Sequence, residues 1–175
     1  MQAPETDWIY ATNATDTARY VLGVEGERPL VCVGVNPSTG QPGEYNGTLR
    51  AAQRMAQRHG FDSWVMINLY PQRTVDPNRL HRRWIKAWHQ ENLAAIAEVL
   101  GQGSPTLWAA WGTLIAKRPY LLRCLQDIAS LPQAQGLPWI TLGQRSKQGH
   151  PHHPLYLPNS ALPESFAVQK YLASR

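Results

Sequence analysis

Four short apolar segments, each followed by a turn and separated by helix-like stretches, constrain the fold of this 175-residue chain more than any other feature. They cover residues 30–35, 64–70, 106–111 and 138–142. The first is apolar on both faces, which is typical of a strand in a parallel sheet that helices cover on both sides. The alternation of strands and helices predicts an α/β protein, a three-layer α/β/α sandwich with a mostly parallel four-stranded central sheet.

The segments between these strands have helical periodicity and recognisable ends. We expect helices after an N-cap at Asn46 or Thr48, over 88–100, over 114–129 with a restart at Pro119, and near 163–173. At the other end, residues 18–24 precede a turn signal at 25–29 and predict an N-terminal hairpin strand beside the first core strand. The length fits a single domain over 1–175 with its core at about 18–158.

The net charge of +5 and the pI near 9.5 favour polyanionic or anionic partners, nucleic acid first, although a basic surface that only improves solubility explains them equally well. The only cysteines, Cys32 and Cys124, lie in apolar segments and fit buried thiols in a reducing, cytoplasmic compartment. We expect no export signal, because the N-terminus has neither a basic start nor an apolar run. We expect no membrane segment, because no apolar run is long enough to cross a bilayer. The oligomeric state stays open.

Polar and aromatic residues follow each predicted core strand, at the sheet edge where parallel α/β proteins bind ligands. The strand ends carry Asn36-Pro37-Ser38, Asn68-Leu69-Tyr70, Trp111-Gly112 and the loop His150-Pro151-His152-His153. Asn36-Pro37-Ser38 is a good turn sequence, but an amide there can also hold a water or a substrate edge. Asn68 has two interpretations. It is either an amide that simply ends its strand, or an amide whose donor and acceptor form hydrogen bonds with the edge of a nucleobase.

Three histidines in the last loop allow three interpretations. His150, His152 and His153 can be metal ligands, incidental surface residues, or site residues that act through hydrogen bonds or charge. Histidines separated by prolines point in different directions, and no metal-binding spacing supports the first reading, so no metal is predicted. No phosphate-binding loop or dinucleotide-binding glycine pattern is present, and no cofactor is predicted.

Two groups of basic residues could face phosphates or simply be solvated. One is the stripe Arg50, Arg54 and Arg58 on the first predicted helix. The other combines basic and aromatic residues: Arg73, Arg79, Arg82, Arg83, Lys86, Trp84 and Trp88. For the second group the interleaved tryptophans make a nucleic-acid surface as good an explanation as a solvated face.

Four blocks, in this order and spacing, resemble a bacterial and phage family described as domain of unknown function 1643. The blocks are Val35-Asn36-Pro37-Ser38-Thr39, residues 68–80, Ala110-Trp111-Gly112, and Leu142-Gly143 followed by His153-Pro154-Leu155-Tyr156. The resemblance covers about residues 18–158. It implies no activity.

The same blocks are more distantly similar to the uracil-DNA glycosylase superfamily, which has a four-stranded parallel sheet in three layers. By that resemblance Asn36 would place the hydrolytic water, Asn68 would read the pyrimidine edge, and His153 would stabilise the departing base. Tyr45 or Tyr70 would supply a ring on which the base stacks. We further expect substrate contacts from Pro37, Ser38, Arg73, Trp111, Gly112 and His150.

Three functional hypotheses are compatible with the sequence. The first is a hydrolase that cleaves a glycosidic or related bond of a nucleobase- or nucleoside-like substrate, free or in nucleic acid. The second is a non-catalytic nucleic-acid-binding module on the same fold. A histidine-metal hydrolase is the third.

Overall fold

A computed structural model describes residues 6–175 and places seven strands in one sheet, in the order β1-β2-β4-β3-β5-β6-β7. The strands are β1 (Trp8–Thr12), β2 (Arg19–Val24), β3 (Pro29–Gly34), β4 (Ser63–Asn68), β5 (Thr106–Ala109), β6 (Trp139–Leu142) and β7 (Pro163–Ser165). The helices are α1 (Gly47–Arg58), α2 (Lys86–Leu100), α3 (Tyr120–Ala129) and α4 (Val168–Ala173). Short 3-10 helices cover Pro77–Arg79, Gly112–Lys117 and Pro132–Ala134.

The α/β class is confirmed, but the sheet is larger than the predicted four strands. The central strands β4, β3, β5 and β6 run parallel, and they correspond to the four apolar segments. Antiparallel strands extend this centre on both sides: β2 and β1 beyond β4, and β7 beyond β6. The two outermost strands have only five and three residues. Segments this short carry little periodic signal, which explains why the sequence did not predict β1 and β7.

The predicted pairing of residues 18–24 with the first core strand is wrong. β2 instead forms a hairpin with β1 and pairs on its other side with β4, where Leu22 lies opposite Met66. β3 already has two parallel neighbours, β4 and β5, so both of its edges are occupied. The chain therefore passes through the turn before β3 without forming a tight hairpin there.

The helices cover both faces of the sheet, and two segments differ from the prediction. α1 packs on one face through Leu49, Ala52 and Met55, while α2, α3 and α4 pack on the other. α1 begins after the predicted N-cap Asn46, whose Oδ1 accepts a hydrogen bond from the Leu49 amide at 3.0 Å. The predicted C-terminal helix over 163–173 is β7 in its first part, and only α4 is helical.

No helix within residues 6–175 combines the length and the apolar character that a membrane crossing requires.

Candidate functional site

The loop after β3 is fixed by the amide of Asn36. Its Nδ2 lies 3.0 Å from the carbonyl oxygen of Pro37, 3.3 Å from that of Gln72 and 2.9 Å from that of Thr74. The Thr74 amide also donates to the Pro37 carbonyl at 3.0 Å, so the loops after β3 and β4 are joined directly. With Nδ2 committed to the backbone, the Oδ1 of this half-buried residue is left to accept other hydrogen bonds.

Two arginines hold the next part of this loop. Arg73 donates through Nη1 to the carbonyl oxygens of Ser38 at 2.7 Å and Gly40 at 3.2 Å, and pairs with Asp16 at 3.0 Å. Arg19 is only 3% exposed and donates to the same Gly40 carbonyl at 2.8 Å. Burial, with the Arg73 charge as a second cause, lowers the pKa of Arg19 to about 10. Arg73, predicted to contact substrate, is thus placed as a clamp on the loop.

Asn68 is the last residue of β4 and is 2% exposed. It lies opposite Gly34 on β3, and a Cβ atom at position 34 would come within 2.8 Å of Asn68 Oδ1. The glycine therefore makes the room that the amide occupies. Asn68 Nδ2 is buried and has no hydrogen-bond partner among residues 6–175. Leaving such a donor unpaired costs about 1–3 kcal/mol.

His153 lies against Gly112, the residue at which the segment after β5 turns. Gly112 has φ of +62°, and a Cβ there would be 3.3 Å from His153 Cβ. The backbone amide of Leu155 donates to His153 Nδ1 at 3.1 Å. The neutral ring must then carry its proton on Nε2. Burial, and secondarily the neighbouring His152, lowers the pKa of His153, so at neutral pH the ring is an uncharged N–H donor.

His150 is fixed by a relay from the core. Trp111 Nε1 can only donate, and it donates to the Tyr171 hydroxyl at 3.1 Å. That hydroxyl lies 2.7 Å from His150 Nδ1 and has no other acceptor among the described residues. It therefore donates its proton to His150 Nδ1. The His150 proton is therefore on Nε2 as well. Burial, followed by the charge of Arg175, lowers the pKa of His150 and keeps the ring neutral.

The three loop histidines line one open cleft of about 560 Å³ at the ends of β5 and β6. Its wall includes Gly112, Gly143, Arg145, Ser146, His150, His152, His153, Leu155 and Tyr156. Asn36 and Asn68 do not line this cleft. They follow β3 and β4, however, and β3 is the immediate neighbour of β5. At about 4.8 Å between strands, the ends of β4 and β5 are about 10 Å apart, so the two groups share one edge of the sheet.

The aromatic residues predicted to contact substrate are placed differently. Tyr70 and Trp111 are fully buried in the core, so neither ring offers a face to a ligand. The Tyr70 hydroxyl lies 2.7 Å from His81 Nδ1 and accepts from the Ile85 amide at 2.9 Å. Tyr45 is half-buried against Trp64, with ring centres 5.8 Å apart.

Pro37 and Ser38 stay with the Asn36 loop rather than the histidine cleft. Pro37 is buried, and Ser38 is half-buried with its Oγ accepting from Asn46 Nδ2 at 3.3 Å. The N-cap residue of α1 is thereby tied to the loop after β3, and a Cβ at Gly47 would lie 3.0 Å from Leu155 of the histidine loop. The start of α1 therefore connects the two parts of this edge.

Three residues of this edge were not predicted. Arg19 gives no sequence signal, since a basic residue that starts a strand is ordinarily exposed. Arg145 could have been identified from the sequence, because it lies in a long segment, residues 128–163, that contains no Asp or Glu. A basic residue in a segment without acidic residues is a candidate for contact with an anion. Tyr156 is 96% exposed with φ of +62°, a conformation that non-glycine residues adopt rarely.

No group of three or more His, Cys, Asp or Glu side chains within residues 6–175 is arranged to hold a metal ion.

The fold and this edge define the class: an α/β domain with a parallel central sheet and loop-built polar groups at its carboxyl edge. The family model described as "Protein of unknown function (DUF1643)" matches residues 19–155, and the chain belongs to that family. No curated protein and no solved structure matches the chain.

Proposed function

We propose that the protein binds a nucleobase- or nucleoside-like substrate at the carboxyl edge of its sheet and hydrolyses a glycosidic or related bond. The observation that carries the proposal is the hydrogen bond from the Leu155 amide to His153 Nδ1. It leaves a neutral imidazole with its N–H on Nε2. When an N-glycosidic bond breaks, the base leaves with negative charge, and an N–H donor already aimed at that charge lowers the barrier.

Asn68 supports base recognition in this proposal. A nucleobase edge presents alternating donors and acceptors, and a buried amide with an unpaired Nδ2 matches an acceptor such as a carbonyl oxygen. The backbone oxygen of Asn68 accepts from Asn92 Nδ2 at 2.9 Å, which holds the residue in place. A preorganised amide of this kind discriminates strongly against ligands that leave it unpaired.

Asn36 supports a hydrolytic rather than a purely binding role. Its Nδ2 is tied to backbone carbonyls, so the amide cannot rotate freely. An acceptor held in this way can take a hydrogen bond from one proton of a water and so direct the water oxygen, the nucleophile, towards the electron-poor sugar that forms as the base departs. The four parallel strands with helices on both faces agree with a uracil-DNA glycosylase-like fold, which is part of the proposal. We also propose a cytoplasmic location, since both cysteines are free and buried.

Base release from nucleosides and from uracil- or damaged-base oligonucleotides tests the proposal, with the free base measured by mass spectrometry. His153→Ala should lower the rate by about 10²–10³-fold, the range for loss of one such donor. Asn159→Ala, an exposed change elsewhere in the same loop region, is the matched control and should leave the rate unchanged. Absence of base release from every substrate, or equal rates in His153→Ala and the control, contradicts the proposal.

A non-catalytic nucleic-acid-binding module is the second candidate, favoured by a cluster of exposed basic residues near half-buried tryptophans. Arg82, Arg83, Lys86 and Lys117 are exposed, and Trp84 and Trp88 lie beside the first three in sequence. Such a surface predicts strand binding that weakens steeply with salt. Binding that is unchanged in Asn36→Ala and His153→Ala, with no base release, favours this candidate over the first.

A further inference from the structure

The histidine cleft contains several hydrogen-bond donors and no acidic side chain. Its wall has two imidazoles with the proton on Nε2, His150 and His153, together with the guanidinium of Arg145. None of the residues that line it is Asp or Glu, and residues 128–163 contain neither. A cleft with this composition favours a ligand that carries negative charge and several acceptor oxygens.

Arg145 is held in the cleft wall without an ion-pair partner among the described residues. Its guanidinium lies over the Phe166 ring, 5.0 Å from the ring centre, and Nη2 approaches the Ser165 carbonyl oxygen at 3.4 Å. Stacking fixes the plane of the guanidinium while most of its N–H groups stay available. An arginine prepared in this way is well suited to an oxyanion.

The histidine donors are fixed by contacts outside the cleft, so they need no reorganisation when a ligand binds. His150 receives a hydrogen bond from Tyr171, which in turn accepts one from Trp111 in the core. His153 receives one from the Leu155 backbone. His152 has the opposite arrangement, because its Nδ1 donates to the His153 carbonyl oxygen. Only His150 and His153 therefore present N–H groups from Nε2.

We propose that this cleft is a phosphate subsite, in which Arg145 and the Nε2–H group of His150 bind the phosphate of a nucleotide or of a nucleic-acid strand, while the Nε2–H group of His153 faces the departing base. The proposal rests on the proposed function and deepens it, because it identifies the substrate as phosphorylated rather than a free base or nucleoside. The phosphate side of the substrate would lie at β5 and β6, and the base side towards Asn68 at β4.

Calorimetric titrations with four probes test this: inorganic phosphate, deoxyuridine, deoxyuridine 5′-monophosphate and a short single-stranded oligonucleotide containing deoxyuridine. We expect a phosphorylated probe to bind at least about tenfold more tightly than deoxyuridine, the gain expected from one charge-assisted hydrogen bond. Arg145→Gln should remove that gain and leave deoxyuridine affinity unchanged. Arg28→Gln, an exposed arginine directly before β3 and so at the opposite end of the strand, is the matched control and should change neither.

The probes also identify the source of the phosphate. A gain with the monophosphate indicates a nucleotide, and a gain only with the oligonucleotide indicates a strand backbone; both support the subsite. Equal affinity for deoxyuridine and both phosphorylated probes overturns it while leaving the proposed function in place. Binding of inorganic phosphate that Arg145→Gln abolishes, without any binding of deoxyuridine, supports the subsite and contradicts the proposed base recognition.

Histidine NMR provides a measurement that needs no variant. Long-range proton–nitrogen spectra should show His150 and His153 as neutral Nε2–H tautomers at neutral pH, and added phosphate should shift the Nε2 resonance of His150. An Nδ1–H tautomer at His150, or no shift of its Nε2 resonance at saturating phosphate, overturns the proposed subsite.

Discussion

The unpaired amide of Asn68 predicts a stability increase when it is replaced by leucine. Asn68 Nδ2 is buried without a partner among residues 6–175, and such a donor costs about 1–3 kcal/mol. Leucine has nearly the same shape and carries no polar atom. We expect Asn68→Leu to raise the free energy of unfolding by about 1 kcal/mol, allowing for imperfect packing. For a chain of this size that corresponds to a Tm about 2–4 °C higher.

The comparison variant is at Asn92, a second buried asparagine nearby whose Nδ2 is paired and whose Oδ1, among residues 6–175, is not. Asn92 is fully buried, and its Nδ2 donates to the Asn68 carbonyl oxygen at 2.9 Å. Asn92→Leu removes that bond and leaves the carbonyl unpaired, and loss of the unpaired Oδ1 offsets part of this cost, so it should lower the free energy of unfolding by about 1 kcal/mol. The two variants should therefore move in opposite directions.

Urea denaturation of the wild type and both variants measures the difference, and nucleobase titration provides the second readout. Under the proposed function, Asn68→Leu should be more stable and also lose base binding, a trade-off expected of a binding-site residue. A loss of stability in Asn68→Leu as large as that in Asn92→Leu would refute the reasoning. It would mean that Asn68 Nδ2 is satisfied within the folded protein.

Three further predictions concern the same edge of the sheet. Gly34→Ala should lower the free energy of unfolding by about 1–3 kcal/mol by urea denaturation, because its Cβ would meet Asn68 Oδ1 at 2.8 Å; unchanged stability contradicts this. His150 and His153 have folded pKa values below the ordinary 6.5, so the unfolded chain binds more protons and the urea midpoint should fall as pH drops below about 6.5. A midpoint that is flat between about pH 7.5 and 5.5 argues against neutral folded rings. Trp111→Phe removes the donor that starts the relay to His150, and should cost about 1 kcal/mol and mix the His150 tautomers by NMR; a single retained tautomer contradicts the relay.

The centre of the sheet could be predicted from sequence because burial on both faces leaves a local signature. Residues 30–35 are apolar almost throughout, and β3 at Pro29–Gly34 is expected from that alone. The position of β2 could not be predicted in this way. Whether Arg19–Val24 pairs with β3 or with β4 depends on which strand has a free edge in the assembled parallel sheet. That depends on tertiary structure and not on the local sequence.

The candidate site was predictable in its location but not in its hydrogen bonding. Parallel strands bring the loops at their carboxyl ends to one edge of the sheet, so the residues after β3, β4 and β5 were expected there. The state of each side chain depends on partners far along the chain. His150 takes its tautomer from Tyr171, 21 residues away, and Arg73 reaches Ser38 across 35 residues. Sequence spacing contains no information on either contact.

The two interpretations of Asn36, a turn residue or a residue that places water, are compatible in this structure. An amide has two ends, and the backbone carbonyls of Pro37, Gln72 and Thr74 take up only the nitrogen. By fixing Nδ2 they also fix the direction of Oδ1, and an acceptor that cannot turn orients a water better than one that can. The turn is then the means by which the acceptor is positioned. A substitution that keeps the loop but removes Oδ1 should therefore affect hydrolysis more than substrate binding.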